Sequence, residues 1–341
     1  MRRAGVAAVA VVLVAQVSAC SSSPGTSASS APVTVQDPRS ATILFVRDSN
    51  DGGVPSAGPP DGAHATALVT SGLFGNPPLR ASTDGSVLAL TSYTVDAAGR
   101  ATPTYWVDVR GVAHEVPIGR STSADSADVA ADGRAVYYAV GGGVLRYDTT
   151  TSARTRLCTG CLPAGNPAWA RRDVVVSPDE RTVAVTQVVG SRLYGGPIDA
   201  RVTVVDVATG RVLWEQQGRE RTGAQAWLFA DDDTLVTTVG VGHYGATPAI
   251  HRVTGFRSAH VSDTATGVVG YGPIAHVDGV WWYYRDATGP TAVTSVYVNP
   301  DLTPAGERKL TDRVDGATTR NYEPVTTAPA AITLPPAGAS G

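Results

Sequence analysis

Apolar residues along most of the chain alternate with polar ones in short runs, and these runs are separated by turns rich in glycine and aspartate. The clearest example lies between Asp173 and Gln217, where two alternating segments flank a Ser-Pro-Asp turn and a later hairpin is closed by the residues ATGR. Alternation with a period of two predicts half-buried β-strands, and Asp and Gly suit tight turns. After the N-terminal apolar run, no stretch shows the spacing of an amphipathic helix. The pattern therefore predicts an all-β protein.

Copies of this unit recur at a nearly constant interval. An aspartate marks one turn of each copy, and the markers lie 48, 47, 53 and 46 residues apart, at Asp84, Asp132, Asp179, Asp232 and Asp278. An additional N-terminal unit lacks this turn, and in it Ile43 to Arg47 and Ala65 to Thr70 are predicted strands around a Gly/Pro-rich loop. Repeats of this length, built from short strands, are typical of propeller blades. The sequence predicts a single β-propeller of six blades, with seven as the alternative.

The Ser-Pro-Asp turn, the strand RTVAVTQ and the hairpin VTVVDVATGRV resemble the repeats of TolB-like and WD40-like propellers. The likeness covers most of the chain but is close only in the copy at 174–217, and the Trp-Asp dipeptide of true WD40 repeats is absent. It implies four-stranded blades in which the Asp-Gly turn joins the first and second strands from the channel. Propellers host many unrelated activities, so the resemblance implies a fold and not a reaction.

The N-terminal residues predict an export and anchoring signal. A basic start, Met1-Arg2-Arg3, precedes an apolar run from Ala4 to Val17, which is shorter than the roughly 20 residues of a membrane-spanning helix. The run ends in Val17-Ser18-Ala19-Cys20, which resembles the lipobox of bacterial lipoproteins. That resemblance implies cleavage before Cys20 and lipidation of this cysteine, with a plain signal peptide as the alternative. We therefore expect the protein on the outer, extracytoplasmic face of the cell membrane, anchored by lipid.

The chain is expected to divide into four segments. The signal peptide is 1–19, a disordered tether is 20–35, the propeller domain is 36–323 and a disordered tail is 324–341. The tether is rich in Ser, Pro and Ala, and the tail in Ala, Pro and Thr. Such compositions cannot bury enough apolar surface to fold.

Composition and charge narrow the class of partner. The formal net charge is -3, whereas nucleic-acid binding needs clustered positive charge, so no nucleic-acid partner is expected. Lys309 is the only lysine, and Ala, Val and Gly are abundant, which indicates a GC-rich genome such as that of an actinobacterium. The chain contains no Walker loop, nucleophile elbow, dinucleotide fingerprint or metalloprotease motif. We expect a monomer with no cofactor and no metal.

Long connections are predicted at one position of the repeat, between the second and third strands, and they open on the same face as the connections between blades. Length variation confined to one repeat position usually marks a binding face, although surface loops also tolerate insertion at little cost. Aromatic and Arg side chains are common anchors of contact surfaces. The candidates in these loops are Tyr93, Trp169, Arg171, Arg172, Arg192, Tyr194, His243 and Tyr244.

Two further sets of residues bear on chemistry. Cys158 and Cys161 lie in a predicted connection between blades, and outside the membrane a disulfide is expected, with a redox motif or half of a zinc site as the alternatives. Four of the six histidines fall in the last two units: His243, His251, His260 and His276. The first hypothesis is a non-catalytic module that binds a protein, peptide or envelope glycan. The second is a secreted hydrolase or lyase in which those histidines converge with an aspartate at the channel mouth.

Overall fold

The computed structural model describes residues 42–49, 52–59, 64–68, 79–82, 87–90, 104–108, 110–117, 127–140, 142–162, 171–189, 199–217, 223–240, 248–258, 260–269, 271–277, 280–284, 294–298, 304–309, 313–314 and 317–325. Within these ranges every regular element is a β-strand, as the alternating pattern predicts. In the same ranges, no helix has the length and apolar character needed to cross a membrane.

The strands pair with their neighbours in antiparallel fashion. In chain order they are β1 (Thr42–Ser49), β2 (Gly52–Gly58), β3 (Thr66–Ala67), β4 (Leu79–Ala81), β5 (Leu88–Leu90), β6 (Thr104–Val107), β7 (Ala113–Val116), β8 (Ala127–Val129), β9 (Ala135–Val140), β10 (Gly143–Asp148), β11 (Arg154–Cys158), β12 (Arg171–Val176), β13 (Thr182–Val189), β14 (Asp199–Asp206), β15 (Val212–Gln217), β16 (Gly223–Asp231), β17 (Thr234–Gly240), β18 (Ala249–Thr254), β19 (Ser262–Val269), β20 (Tyr271–Val277), β21 (Val280–Tyr284), β22 (Thr294–Val298), β23 (Pro304–Lys309), β24 (Arg313–Val314) and β25 (Ala317–Val325).

Five sheets are four-stranded blades of a single β-propeller, each made of consecutive strands. Blade 1 is β4–β7, blade 2 is β8–β11, blade 3 is β12–β15, blade 4 is β16–β19 and blade 5 is β20–β23. The first strands of successive blades contact one another, β4 with β8, β8 with β12, β12 with β16 and β16 with β20. The first strand of each blade therefore lines the inside of the ring, and the fourth strand lies at its rim.

The expected count of six blades, with seven as the alternative, is wrong, because the described residues form five. The segment that the sequence assigned to a first blade belongs instead to a five-stranded terminal sheet in the order β24-β25-β1-β2-β3. Its residues 52–58, predicted as loop, form β2 and pair with β1 over seven positions. Its remaining strands, β24 and β25, come from the other end of the chain, and β25 contacts both β20 and β4. Strands from both ends of the described chain thus meet in one sheet.

The apolar core lies between neighbouring sheets. All positions of β9 are buried, and its successive side chains Tyr137 and Tyr138 enter two different clusters, one towards blade 3 and one towards blade 1. In β13, Val183 and Val185 likewise pack towards blade 2 while Ala184 packs towards blade 4. Full burial of a side chain such as that of Val183 or Val185 stabilises the fold by roughly 1.5–3 kcal/mol. Burial on both faces explains why β9 and the segment 183–185 of β13 are apolar at consecutive positions.

The Asp-Gly turns join the first and second strands, as the resemblance implied. In blade 2, Gly133 adopts a φ of 70° and its amide donates to the carbonyl of Ala130. In blade 3 the equivalent residue is Glu180, which takes a φ of 57° and whose amide donates to the carbonyl of Ser177. A non-glycine residue in this left-handed region is costly unless its surroundings hold it there. Glu180 is held in this conformation by its contacts with Tyr137 and Arg146.

Candidate functional site

The connections at the two ends of the propeller differ in length. At one end, the short-turn face, the first strand is joined to the second by residues such as 130–134, and the third to the fourth by residues such as 207–211. At the other end, the long-loop face, the second strand is joined to the third by 91–103 in blade 1, 190–198 in blade 3, 241–247 in blade 4 and 285–293 in blade 5, and by only 141–142 in blade 2. The expected asymmetry of the two faces is present in the strand boundaries.

Aspartates on the short-turn face hold the turns between third and fourth strands. The Asp108 carboxylate accepts hydrogen bonds from the amides of Arg110 and Val112 at 2.9 and 3.1 Å. The Asp206 carboxylate accepts from the amide and hydroxyl of Thr209 at 2.7 and 2.6 Å. Although burial opposes the change, hydrogen bonds from Arg110 and His114 lower the pKa of Asp108, and those from Thr209 lower the pKa of Asp206. These carboxylates are therefore committed to turn geometry as anions.

Blades 3 and 4 are joined by charge on the same face. The Arg257 guanidinium of blade 4 donates to Asp179 of blade 3 and also lies 2.9 Å from Asp232 of its own blade. Asp179 accepts further hydrogen bonds from the Ser177 hydroxyl at 2.7 Å and the Arg181 amide at 3.2 Å. Burial alone would raise the pKa of Asp179, but these donors lower it below its ordinary value. The Ser-Pro-Asp turn of blade 3 therefore also connects this blade to blade 4.

A second joint connects blades 2 and 3 through a buried tyrosine. The Tyr137 hydroxyl donates to Glu180 at 2.5 Å, and it accepts from the Arg146 guanidinium at 3.2 Å. Arg146 also lies 3.4 Å from Glu180, so the three groups form a closed set. Burial and the neighbouring Glu180 carboxylate raise the pKa of Tyr137, which keeps the phenol protonated as a donor. This set holds Glu180 in its left-handed conformation.

Polar groups on the inner strands join the blades near the channel. Asp128 of β8 is partly buried and accepts from the amide of Val176 in blade 3 at 2.8 Å, and its burial raises its pKa. Asp173 of β12 accepts from the Gln225 side chain of blade 4 at 3.3 Å. The Thr186 hydroxyl accepts from the amide of Ala226 at 2.8 Å. Each of these contacts crosses from one blade to the next, so each has a structural role.

The structure shows two histidine–aspartate pairs, and both lie on outer strands. His114 of β7 is 3.2 Å from Asp108, and its ring stacks on Trp106 with centroids 4.2 Å apart. His251 of β18 is 2.7 Å from Asp263 of β19, whose other oxygen accepts from Gln216 of blade 3. Neither pair lines the channel, and the described residues hold no group of three or more His, Cys, Asp or Glu side chains arranged for a metal.

The predicted convergence of histidines at the channel mouth is not seen in the described residues. His251 points to a partner on the fourth strand, and His260 lies in the turn between β18 and β19, on the short-turn face. His276 lies within β20, and His243 falls outside the described residues. The structure therefore places His251 and His260 away from the channel mouth, where the predicted convergence would lie.

Cys158 and Cys161 are joined by a disulfide, with their Cα atoms 5.8 Å apart. The bond lies where β11 ends and the connection to blade 3 begins, on the long-loop face. Next to it, the Leu162 amide donates to the carbonyl of Gly142 at 3.1 Å and the Leu162 side chain is buried. The disulfide thus fixes the first residues of this connection against the tight turn of blade 2.

Most residues proposed for the binding face fall outside the described ranges. Arg171 and Arg172 are the first residues of β12, at the edge of the long-loop face. Cys20 and six of the candidates are not described: Tyr93, Trp169, Arg192, Tyr194, His243 and Tyr244. For all of these the assignment stays a prediction. The hydrogen-bonded set of Tyr137, Arg146 and Glu180 was missed, because Glu180 lies in blade 3 and the other two residues lie in blade 2. Its one signal in the sequence is a Glu at the turn position that normally carries Gly.

Comparison with known proteins agrees with the fold. No family model and no curated protein matches the sequence. TolB from Acinetobacter baumannii superposes with a TM-score of 0.55 over 85% of this chain and 67% of that chain, at 12% identity. A TolB-like protein from Agrobacterium tumefaciens gives 0.49 over 84% and 99% at 14% identity, and an oligogalacturonate lyase in complex with manganese gives 0.46 over 79% and 73% at 16%. The chain is a β-propeller with TolB-like structural neighbours, and identities this low show the fold alone.

Proposed function

We propose that the protein is a lipid-anchored, extracytoplasmic β-propeller that binds a protein, a peptide or an envelope glycan through its long-loop face and performs no chemistry there. The observation that carries the proposal is the difference between the two faces. Connections as long as 91–103 and 190–198 occur on one face, whereas the other is closed by short turns. Extra length at one repeat position provides variable surface without disturbing the repeat.

The charged groups of the described residues support a binding role rather than a catalytic one. Asp108, Asp148 and Asp206 hold turns, while Asp179 and Glu180 hold neighbouring blades together. Catalytic acids and bases need a free position within hydrogen-bond reach of a substrate. The carboxylates named here already have partners in the fold.

A hydrolase or lyase that uses His243, His251, His260 or His276 is the alternative. The pair formed by His251 and Asp263 is the one observation in its favour, since a carboxylate orients an imidazole in many catalytic sites. However, the pair lies on the outer strands, and Gln216 of the neighbouring blade occupies the second carboxylate oxygen. This position suits a joint between blades at the rim better than a substrate site.

Anchoring is proposed from the lipobox-like Val17-Ser18-Ala19-Cys20 and the Ser/Pro-rich tether after it. Two or more acyl chains give stable attachment to a bilayer, at about 0.8 kcal/mol per buried methylene. The test is metabolic labelling with an alkyne-bearing palmitate. Wild-type protein should be labelled and Cys20→Ala should not, while Cys158→Ala/Cys161→Ala should be labelled normally. Equal labelling of the Cys20→Ala variant would refute the anchor.

Binding through the long-loop face is tested by placing a photo-crosslinking amino acid at single positions in intact cells. Tyr93 and Tyr194 probe the long-loop face, and the exposed Arg134 and Arg211 are matched positions on the short-turn face. We expect a discrete crosslinked product, in protein or glycan, from the first pair and none from the second. The same product from both pairs, or a product from the short-turn pair alone, would contradict the proposal.

A further inference from the structure

Charged side chains on the short-turn face of blades 1 to 3 lie at two levels. In one turn of each blade an arginine pairs with the aspartate two positions before it, and the pairs are Arg110 with Asp108, Arg134 with Asp132, and Arg181 with Asp179. The three arginine side chains are 74, 76 and 77% exposed, whereas the three aspartates are 13, 50 and 17% exposed. The outermost charged groups of these turns are therefore guanidinium groups.

The carboxylates of these blades have partners within the fold. Each aspartate of the three pairs accepts a hydrogen bond from the backbone amide of its own arginine, at 2.9, 2.9 and 3.2 Å. Elsewhere on the same face, Asp148 and Glu180 each lie 3.4 Å from Arg146, and Asp206 accepts from Thr209. An anion that approaches the face from outside therefore meets guanidinium groups first.

Exposed valines stand next to these arginines. Val112 and Val212 are 39 and 37% exposed, and each follows the turn between the third and fourth strands of its blade. Val212 comes directly after Arg211, which is also exposed. Apolar side chains beside arginines suit the boundary between headgroups and acyl chains of a bilayer. The arginine surface, as we call this part of the face, comprises Arg110, Val112, Arg134, Arg181, Arg211 and Val212. It excludes blade 4, whose first turn carries three consecutive aspartates at 231–233.

The described chain begins on the same face of the propeller. β25 contacts β4 and β20, so it takes the place of a first strand in the terminal sheet. First strands of a propeller run in one direction, and β1 pairs antiparallel with β25, so β1 starts at the short-turn face as second strands do. Leu44 near that start shares a buried cluster with Val107 and Ala113, which flank the short turn of blade 1. Thr42, the first residue of β1, comes 22 positions after Cys20.

We propose that the arginine surface docks on the phospholipid headgroups of the membrane that carries the anchor, a proposal that rests on the lipidation of Cys20 proposed above. A short linker to the bilayer gives the domain a high effective concentration there, so modest contacts suffice to hold it down. The guanidinium fork binds phosphate oxygens bidentately, and basic side chains are attracted to anionic bilayers in a manner that salt screens. Docking in this orientation turns the long-loop face away from the bilayer.

The test uses lipidated full-length protein in vesicles made of equal parts phosphatidylglycerol and phosphatidylcholine. Val212 and Gln217 are exposed residues at the two ends of β15, so Val212→Cys probes the short-turn face and Gln217→Cys the long-loop face. The introduced cysteine carries a fluorophore, while Cys158 and Cys161 are protected by their disulfide. Quenching by a spin label on the lipid headgroups reports proximity to the bilayer. We expect several-fold stronger quenching at position 212 than at position 217.

Dependence on the arginines is tested in the Val212→Cys background. Arg110→Gln/Arg134→Gln should lower the excess quenching several-fold, because two guanidinium groups of the arginine surface are lost. Arg154→Gln/Arg156→Gln removes the same charge from exposed positions of β11 at the rim and should leave the excess unchanged. Vesicles of phosphatidylcholine alone should also lower the excess, because the anionic headgroups are absent.

Flotation of the vesicles distinguishes failure of the anchor from failure of docking. Protein that does not float with the vesicles would overturn both proposals. Protein that floats but is quenched equally at the two ends of β15, or more strongly at position 217, would overturn docking and leave the anchor in place. An equal loss of quenching in the two arginine variants would also overturn docking, because net charge and not the arginine surface would then account for the contact.

Discussion

The two faces of the propeller differ in whether their connections are fixed in length by contacts between blades. On the short-turn face, Asp179, Arg257 and Glu180 connect neighbouring blades through side chains that sit at fixed positions of the repeat. On the long-loop face, the same repeat position carries 141–142 in one blade and 91–103 in another. A turn whose side chains contact the next blade cannot change length without losing those contacts. A loop that makes no such contact can lengthen at small entropic cost. The short-turn face therefore maintains the ring, whereas the long-loop face can vary in length, as the proposed binding role requires.

The largest effect is expected where a short turn meets the next blade. Gly210 has a φ of +68°, and a Cβ there would lie 2.4 Å from the Leu157 carbonyl oxygen of blade 2. Gly210→Ala should destabilise the fold by roughly 2–4 kcal/mol, from the clash and the left-handed backbone together. Urea denaturation measures the change.

Gly160, in the connection on the long-loop face, is the matched control. Its φ is +71°, and a Cβ there would meet nothing within 4 Å. Gly160→Ala should cost only about 1 kcal/mol, because the backbone conformation alone is affected. Equal losses for Gly160→Ala and Gly210→Ala would mean that the two faces are packed alike.

An intermediate effect is expected at the joint between blades 3 and 4. Asp179→Asn removes the charge that Arg257 of the next blade contacts, and should cost about 1 kcal/mol at neutral pH. The pKa of Asp179 is lowered in the folded state, so its contribution is present above the ordinary value of 3.8 and is lost as pH falls below it. The gap between wild type and variant in the free energy of unfolding should therefore narrow below about pH 4.

Asp132 supplies the control for this joint. It occupies the equivalent turn of blade 2, where it accepts from the Arg134 amide at 2.9 Å, and the ion pair it makes is with Arg134 of the same turn. Asp132→Asn should change stability by less than about 0.5 kcal/mol, because only an exposed local contact is weakened. A loss as large as that of Asp179→Asn would show that the contact across blades adds nothing.

The smallest effect separates two adjacent tyrosines. Tyr137→Phe breaks the contacts with Glu180 and Arg146 of the short-turn face and should cost about 1 kcal/mol. Tyr138→Phe should cost less than about 0.5 kcal/mol, because the groups that act on its hydroxyl are the exposed side chains of Arg154 and Arg156. Thermal unfolding of the two variants in the same buffer checks the difference, and a reversed order would contradict the assignment of both hydroxyls.

The sequence predicted local features well and contacts between distant segments poorly. Strands such as β9 and β13, and turns such as 177–181, follow from alternation and from Asp and Gly placement, which are local signals. The terminal sheet was missed because β25 pairs with β1, and β2 was missed because a segment rich in Gly and Pro was taken for a loop. No local pattern reports that two chain ends meet.

The same limit applies to the sites. The register of the repeat places the long loops on one face, so the candidate binding face could be predicted from loop position. Arg257 and Asp179 are 78 residues apart, and Tyr137 and Glu180 are 43 apart, so their pairing depends on the order of blades in the ring. The different surroundings of Tyr137 and Tyr138 could not be predicted either, because the two residues are adjacent in the sequence and enter opposite interfaces of blade 2.

The most direct test of a binding role for the long-loop face is to shorten one loop and leave the frame intact. Residues 190–198 are replaced by Gly-Gly, the length found at 141–142 in blade 2, in protein that carries the photo-crosslinker at Tyr93. We predict that the yield of crosslinked product falls at least about tenfold while the free energy of unfolding changes by less than about 1 kcal/mol. An unchanged yield in the shortened variant would contradict the account.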